Sequence, residues 1–374
     1  MKWSLPLGRV AGIPIRMHLS FLLLLAWIGW EGWKVDGWPS SLWALALILG
    51  LFACVVLHEL GHSLVAMRFG AEVRSVTLLP IGGVAAMKSI PEKPRQELLV
   101  ALAGPAVNVL IAGALALVRG GFPSWATAGN LPAGVGPLLD ALGQANMVMA
   151  VFNLLPAFPM DGGRVLRSLL GLVLPHDRAT AWSAAMGQLL ALGFILLGVF
   201  GNPVLVLIGI FVFLGAETEE RSVRIRHLLR DVLVEDVMVT GVVSVGPDDP
   251  LARCLEHVCH RRQEDFPVEA DGRLVGVLAR RDWLAALHRD GAGARVGDVM
   301  TRRFVSVDAK MPLLRLYRDL GAFRQGAFPV VEGGRVVGLL TPDDISRYLI
   351  VQDARRGSRG GAARPASRFA IDLG

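Results

Sequence analysis

Three cysteines in 374 residues, Cys54, Cys254 and Cys259, stand at no metal-binding spacing and leave an odd count. They exclude a disulfide framework and suit a reducing compartment. A leader signature is also lacking. Lys2, Arg9 and Arg16 precede the apolar run Leu19 to Trp30, but no small-residue cleavage site follows, which predicts a retained membrane anchor. Charge is scarce, at 19% of residues, and the net excess is only +6. The basic residues crowd the loops and the C-terminus, a bias that membrane topology explains better than nucleic-acid binding does.

What is plentiful is apolar surface. At 53% hydrophobic the chain is too apolar for one soluble domain, yet too charged for membrane throughout. It divides near residue 217. Before that point come apolar runs at about 19–33, 41–68 and 96–118, one ending at Asn153, and two more at 180–200 and 203–217. Basic residues cluster in alternate loops: Arg68, Arg74, Lys88, Lys93 and Arg95 in one, Arg164, Arg167 and Arg178 in another. The remaining loops hold only Lys34 and Arg119. Six spans with both termini in the cytoplasm satisfy this pattern.

Inside the second run lies His58-Glu59-Leu60-Gly61-His62. Two histidines at i and i+4 fall one turn apart on one helix face, where both reach a single metal ion. Glu59 is placed to take a proton from a water on that metal, whose pKa zinc lowers to about 7. A packed histidine pair is the bland alternative, but such groups in a membrane helix carry a desolvation cost that usually marks function. Catalytic zinc needs three protein ligands, and the two histidines leave one to find. Asp161 suits the place. It follows Pro156 and Pro159, which unwind the preceding helix, and precedes the turn-permitting pair Gly162-Gly163. Its other reading is a cap for the next helix.

Residues 3–17 read as an extended or hairpin segment at the membrane edge. The β-branched stretch from Val73 to Met87, with Pro80 and Gly82-Gly83, is too short to span as a helix. It is either a re-entrant hairpin beside the site, offering an edge for an extended substrate, or an ordinary interfacial loop. Within the third run, Gly104 permits close helix contact and Asn108 offers an interhelical hydrogen bond.

After Asp231 the chain repeats itself. Asp236-Val237-Met238, Phe266-Pro267-Val268 and Gly276-Val277-Leu278 return 62 residues later as Asp298-Val299-Met300, Phe328-Pro329-Val330 and Gly338-Leu339-Leu340. One period without gaps predicts two copies of one α/β unit packed face to face as a pseudo-dimer, an arrangement that can leave a cleft for a ligand between the copies. The organisation is therefore 1–217 membrane, 218–230 linker, 231–290 and 291–352 repeats, and 353–374 a disordered basic tail.

These residues resemble the site-2 protease family of intramembrane zinc metalloproteases. The likeness rests on His58 to His62, Asn153 through Gly162, Gly82-Gly83, and Gly104-Pro105 with Asn108. The repeats are similar to a tandem pair of cystathionine-beta-synthase (CBS) domains, a combination like that of the six-span protease that processes a sporulation sigma-factor precursor. The fold implied is a polytopic α-helical membrane domain of about six transmembrane helices with a re-entrant β-hairpin, then an α/β tandem CBS domain. The resemblance implies one Zn2+ held by His58, His62 and Asp161, Glu59 as catalytic acid/base, Asn153 on the scissile peptide or oxyanion, and Gly82-Gly83 presenting substrate. The substrate class that the resemblance implies is a transmembrane protein cut by regulated intramembrane proteolysis.

CBS pairs of this kind read an adenine nucleotide such as ATP through a Gly-x-x-Thr/Ser-x-x-Asp pattern, or serve as dimerisation modules. Gly338, Thr341 and Asp344 match it; in the first copy Ala279 replaces the hydroxyl while Asp282 is kept. A multi-pass cell-membrane protein with cytoplasmic termini and CBS domains follows. Its rivals are a CBS-regulated membrane transporter and a catalytically inactive scaffold. The first gives no reason for the adjacent glutamate, and no inverted repeat is evident in the membrane half; the second leaves a complete set of catalytic residues unexplained.

Overall fold

The computed structural model describes residues 3–360 except 81, 88–92, 124, 126–130, 262, 321–322 and 324, and forms two compact units, 1–223 and 224–374. In the first, two short strands, β1 (Ser4–Val10), with a register shift at Gly8, and β2 (Ile13–His18), pair as a hairpin whose turn holds Gly12. His18 then caps α1 (Leu19–Arg68) through Nδ1, which accepts from Ser20 N. This long helix is broken at Asp36 and Gly37, and its arms fold back on each other. Ser41 Oγ donates to Gly29 O at 2.8 Å, Gly32 leaves room for the Ser41 backbone, and the Phe21 and Phe52 rings meet edge to face at 4.4 Å.

The stretch after α1 is indeed extended. β3 (Val73–Leu79) and β4 (Gly82–Met87) form an antiparallel hairpin, and β3 joins β2 in parallel, so the sheet runs β1-β2-β3-β4 with β4 on an edge. Ile13, Ile15 and Val76 pack this sheet on Leu60 of α1, next to the histidine pair. Helices α2 (Pro94–Arg119), α3 (Val135–Asn153), α4 (Asp161–Leu170), α5 (His176–Phe200) and α6 (Pro203–Leu228), the last as far as Val223, complete the unit.

Its polarity is that of a membrane protein. Leu110, Leu117, Leu197, Phe200 and Leu207 face outward, while His58, His62, Glu97, Asn108, Asn146, Asp161 and Arg167 are buried. Among the described residues four helices, α1, α2, α3 and α5, are long and apolar enough to cross a membrane. The sequence reading of six spans exceeds that number for two physical reasons. The first two runs are the arms of the single helix α1, and the apolar part of α6, residues 203–216, ends at Glu217 before reaching the ~20 residues a span needs.

The second unit holds β5 (Val239–Thr240), α7 (Leu251–Arg261), β6 (Phe266–Ala270), β7 (Arg273–Leu278), α8 (Arg280–Asp290), α9 (Val296–Val299), β8 (Val307–Asp308), α10 (Leu313–Asp319), β9 (Phe328–Glu332), β10 (Arg335–Leu340) and α11 (Pro342–Gly360). Each copy has its own core, around Phe266, Leu278 and Trp283 in one and Phe328, Leu340 and Ile345 in the other. Val277 and its repeat equivalent Leu339 form a further buried cluster with Ala327. The composition after Ala354 predicts disorder, but α11 continues to Gly360, with Asp353 paired to Arg224. Residues 361–374 of that tail lie outside the described residues.

Candidate active site

An unbroken helix from Cys54 to Arg68 sets His58 and His62 one turn apart, with ring centroids 4.7 Å apart. The third partner comes from 99 residues further on. Asp161 opens α4, and its Oδ2 lies 3.3 Å from His58 Nε2 and 3.0 Å from His62 Nε2; the two Nε2 atoms are 3.1 Å apart. Tetrahedral zinc with bonds of about 2.0–2.2 Å would need ligand atoms roughly 3.3 Å apart, so the three converging atoms fit it. His62 Nδ1 sits 2.7 Å from Val100 O. Donating there leaves its Nε2 lone pair for a metal.

Glycine makes the convergence possible. A Cβ on Gly104 would lie 2.2 Å from His62 Nε2 and 2.7 Å from His58 Cε1; one on Gly162 would lie 2.2 Å from Leu155 O. The first glycine lets α2 approach both imidazoles, and the second lets α4 turn tightly against the proline-broken segment that delivers Asp161.

Glu59, half-buried, is covered by β4, where a Cβ on Gly83 would come 2.9 Å from Glu59 Cγ. Gly82 opens that strand at φ +140. Asn153 is the last residue of α3 and half-buried; among the described residues no hydrogen bond joins it to the three converging side chains. Sequence reasoning missed a buried cluster nearby, in which Arg167 meets Glu97 and Glu219. The only local signal was an acid and a base at the borders of apolar runs.

In the second unit a cavity of about 1360 Å³ opens between the two copies. Asp282 and Thr341 stand on its wall with Arg280, Arg281, Arg289 and Arg303, while Asp344 does not. Thr341 caps α11 reciprocally with Asp344: Thr341 N and Oγ1 reach Asp344 Oδ2 at 3.0 and 2.6 Å, and Asp344 N donates back to Oγ1. Ala279, the equivalent cap of α8, has no hydroxyl, and Asp282 is left facing the cavity. Burial pushes the nearby Asp265 carboxyl up, with Glu264 and Asp343 adding to it against the Arg280 N–H.

Sequence comparison agrees with this geometry. The pattern of peptidase family M50 matches residues 46–124 and 120–194, and that of the CBS domain matches 234–289 and 296–351. A zinc metalloprotease of Methanocaldococcus jannaschii is 34% identical over 359 residues, covering 95% of this chain and 98% of its own length. Rip3 of Mycobacterium tuberculosis is 31% identical over 384 residues, 94% of either chain. Among solved structures, a site-2 protease from Methanocaldococcus jannaschii aligns at 38% identity and a TM-score of 0.43, over 58% of this chain and 95% of that one.

Proposed function

Because this chain belongs to peptidase family M50, as an intramembrane zinc metalloprotease of the site-2 type with two C-terminal CBS domains, we propose that it cuts membrane-spanning proteins at the centre formed by His58, His62, Asp161 and Glu59. One observation carries the reading: three ligating atoms drawn from α1 and α4 converge within 4.8 Å, directly beside a glutamate. His58, His62 and Asp161 would hold zinc, which would supply Lewis acidity there. Glu59 would take a proton from the water that adds to the scissile carbonyl and give it to the amine nitrogen as the C–N bond breaks. Asn153, at the end of α3, donates to the scissile carbonyl as negative charge develops on it.

A peptide bond inside a helix is shielded by its own hydrogen bonds, so the substrate unwinds before it is cut. The free edge of β4 receives the extended strand, and the side-chain-free backbone at Gly82 and Gly83 allows it to run close to Glu59. The substrates are single-span proteins with helix-weakening residues near the cytoplasmic face, cut in regulated intramembrane proteolysis. Counting the arms of α1 separately, and taking the short apolar run of α6 as a sixth crossing that a locally thinned bilayer accommodates, gives both termini and the CBS pair a cytoplasmic location, the orientation that the basic loops favour. The boundaries read from sequence, 1–217 for the protease and 231–290 and 291–352 for the CBS copies, serve as its working division.

The CBS pair regulates cleavage by holding an adenine nucleotide such as ATP in the cleft between its copies, with Asp282 and Thr341 on the wall and Asp344 behind Thr341, and it offers a surface for homodimers. Four arginines on that wall suit phosphates. ATP that changes neither affinity nor cleavage rate of the purified protein removes this part.

The deciding experiment needs no substrate. The purified membrane protein is expected to hold about one zinc per chain and the Asp161→Ala variant clearly less. A folded parent without zinc refutes the reading.

A further inference from the structure

A charged residue 3% exposed inside an apolar helical unit calls for an explanation, and Arg167 on α4 is one. Its Nε donates to Glu97 Oε1 at 2.8 Å, its Nη2 to the same oxygen, and its Nη1 to Glu219 Oε1 at 2.7 Å; its guanidinium carbon also lies 5.0 Å from the centre of the Phe158 ring. Glu97 on α2 is 2% exposed. Stability alone is a poor reason for such a cluster, because apolar residues of similar volume commonly do as well; what a forked guanidinium adds is fixed geometry.

The fork's partners are placed to use that geometry. Arg167 stands about 9 Å along the helix that Asp161 begins. Glu97 lies one turn before Val100, whose carbonyl orients His62. One ion pair therefore joins the backbone carrying one metal-ligating side chain to the backbone that aims another. On α6, Glu219 is one turn beyond Gly215, where a Cβ would come 2.5 Å from Pro159 Cδ. The same face of α6 thus touches the chain on both sides of Asp161. Ala216, beside Gly215, packs with Phe158, and Val212 with Ala157 and Met160.

We propose that Arg167 is a positioning residue of the metal site: by gripping Glu97 and Glu219 it holds Asp161 in register with His58 and His62, so that metal affinity depends on an ion triad that touches no ligand. The inference rests on the reading of those three residues as the zinc ligands. It also makes α6, the helix that continues to Leu228, a lever on the site through Glu219.

The test measures zinc affinity of the full chain by chelator competition, and the visible absorption of the cobalt(II)-loaded protein as a report on coordination geometry. Both are taken well below each variant's melting temperature. Glu97→Gln and Arg167→Lys preserve size or charge and remove the fork's geometry. Each is expected to weaken zinc at least ~10-fold and to alter the cobalt spectrum. Arg119→Gln breaks the bidentate Arg119–Asp140 pair between α2 and α3, away from the ligands, and is expected to leave both readings unchanged. Parent-like zinc affinity and spectrum in folded Glu97→Gln and Arg167→Lys overturn the proposal. If neither folds, Glu219→Gln at the partly exposed end of the triad decides in the same way. A parent that binds no zinc overturns the ligand reading itself, and the proposal with it.

Discussion

Gly104 and His62 are in such close approach that a methyl group on the glycine would occupy the space of the imidazole, 2.2 Å from Nε2. Because α2 also supplies the Val100 carbonyl to the same ring, it cannot withdraw without releasing His62. Gly104→Ala is therefore expected to lose zinc by more than the ~10-fold that a missing outer partner costs. Gly113→Ala, on the same helix with open space around it, should bind metal as the parent does. Zinc per chain in the two variants checks this.

Glu59→Gln keeps the shape of the side chain under β4 and removes its basicity. Zinc content should stay at the parental level while peptide hydrolysis falls by about 10²–10⁴-fold. Retained turnover of a single-span substrate would remove Glu59 from its role.

The two CBS acids should answer differently. Asp282 faces the cavity, so Asp282→Ala is expected to weaken ATP binding in calorimetry with little loss of stability. Asp344 is engaged by Thr341, and Thr341→Ala is expected to cost about 1 kcal/mol through the lost cap of α11.

Asp265 gives a pH signature. A carboxyl raised in the folded state binds its proton more tightly there than in the unfolded chain, so the second unit loses stability as pH rises from the ordinary Asp value through the raised one. Asp265→Asn keeps an acceptor for the Arg280 N–H, 2.8 Å away, and carries no charge. Hydrogen exchange over residues 245–300 of the full chain should show the variant better protected than the parent above that window and equal to it below.

Part of the proposed site was legible because its spacing is local. Histidines at i and i+4 with an intervening glutamate form a metal-site pattern within one helical turn, and a 62-residue repeat is visible without any contact. The interrupted stretch at 73–87 and the break after Asn153 were equally readable, since proline and glycine act on their own backbone. The pairing of β3 with β2, the closure of α2 on the imidazoles through Gly104, and the grip of Arg167 on Glu97 and Glu219 join residues tens of positions apart. In the second unit the residue pattern pointed to Thr341 and Asp344 together, yet the fold turned one acid inward to cap its helix and left Asp282 on the cavity wall. Local order follows from torsional preference and periodicity, which each short segment carries by itself. Which distant side chains share a buried volume is decided only when the helices close around them, because desolvation then makes every unpaired charge costly and leaves one arrangement that pairs them.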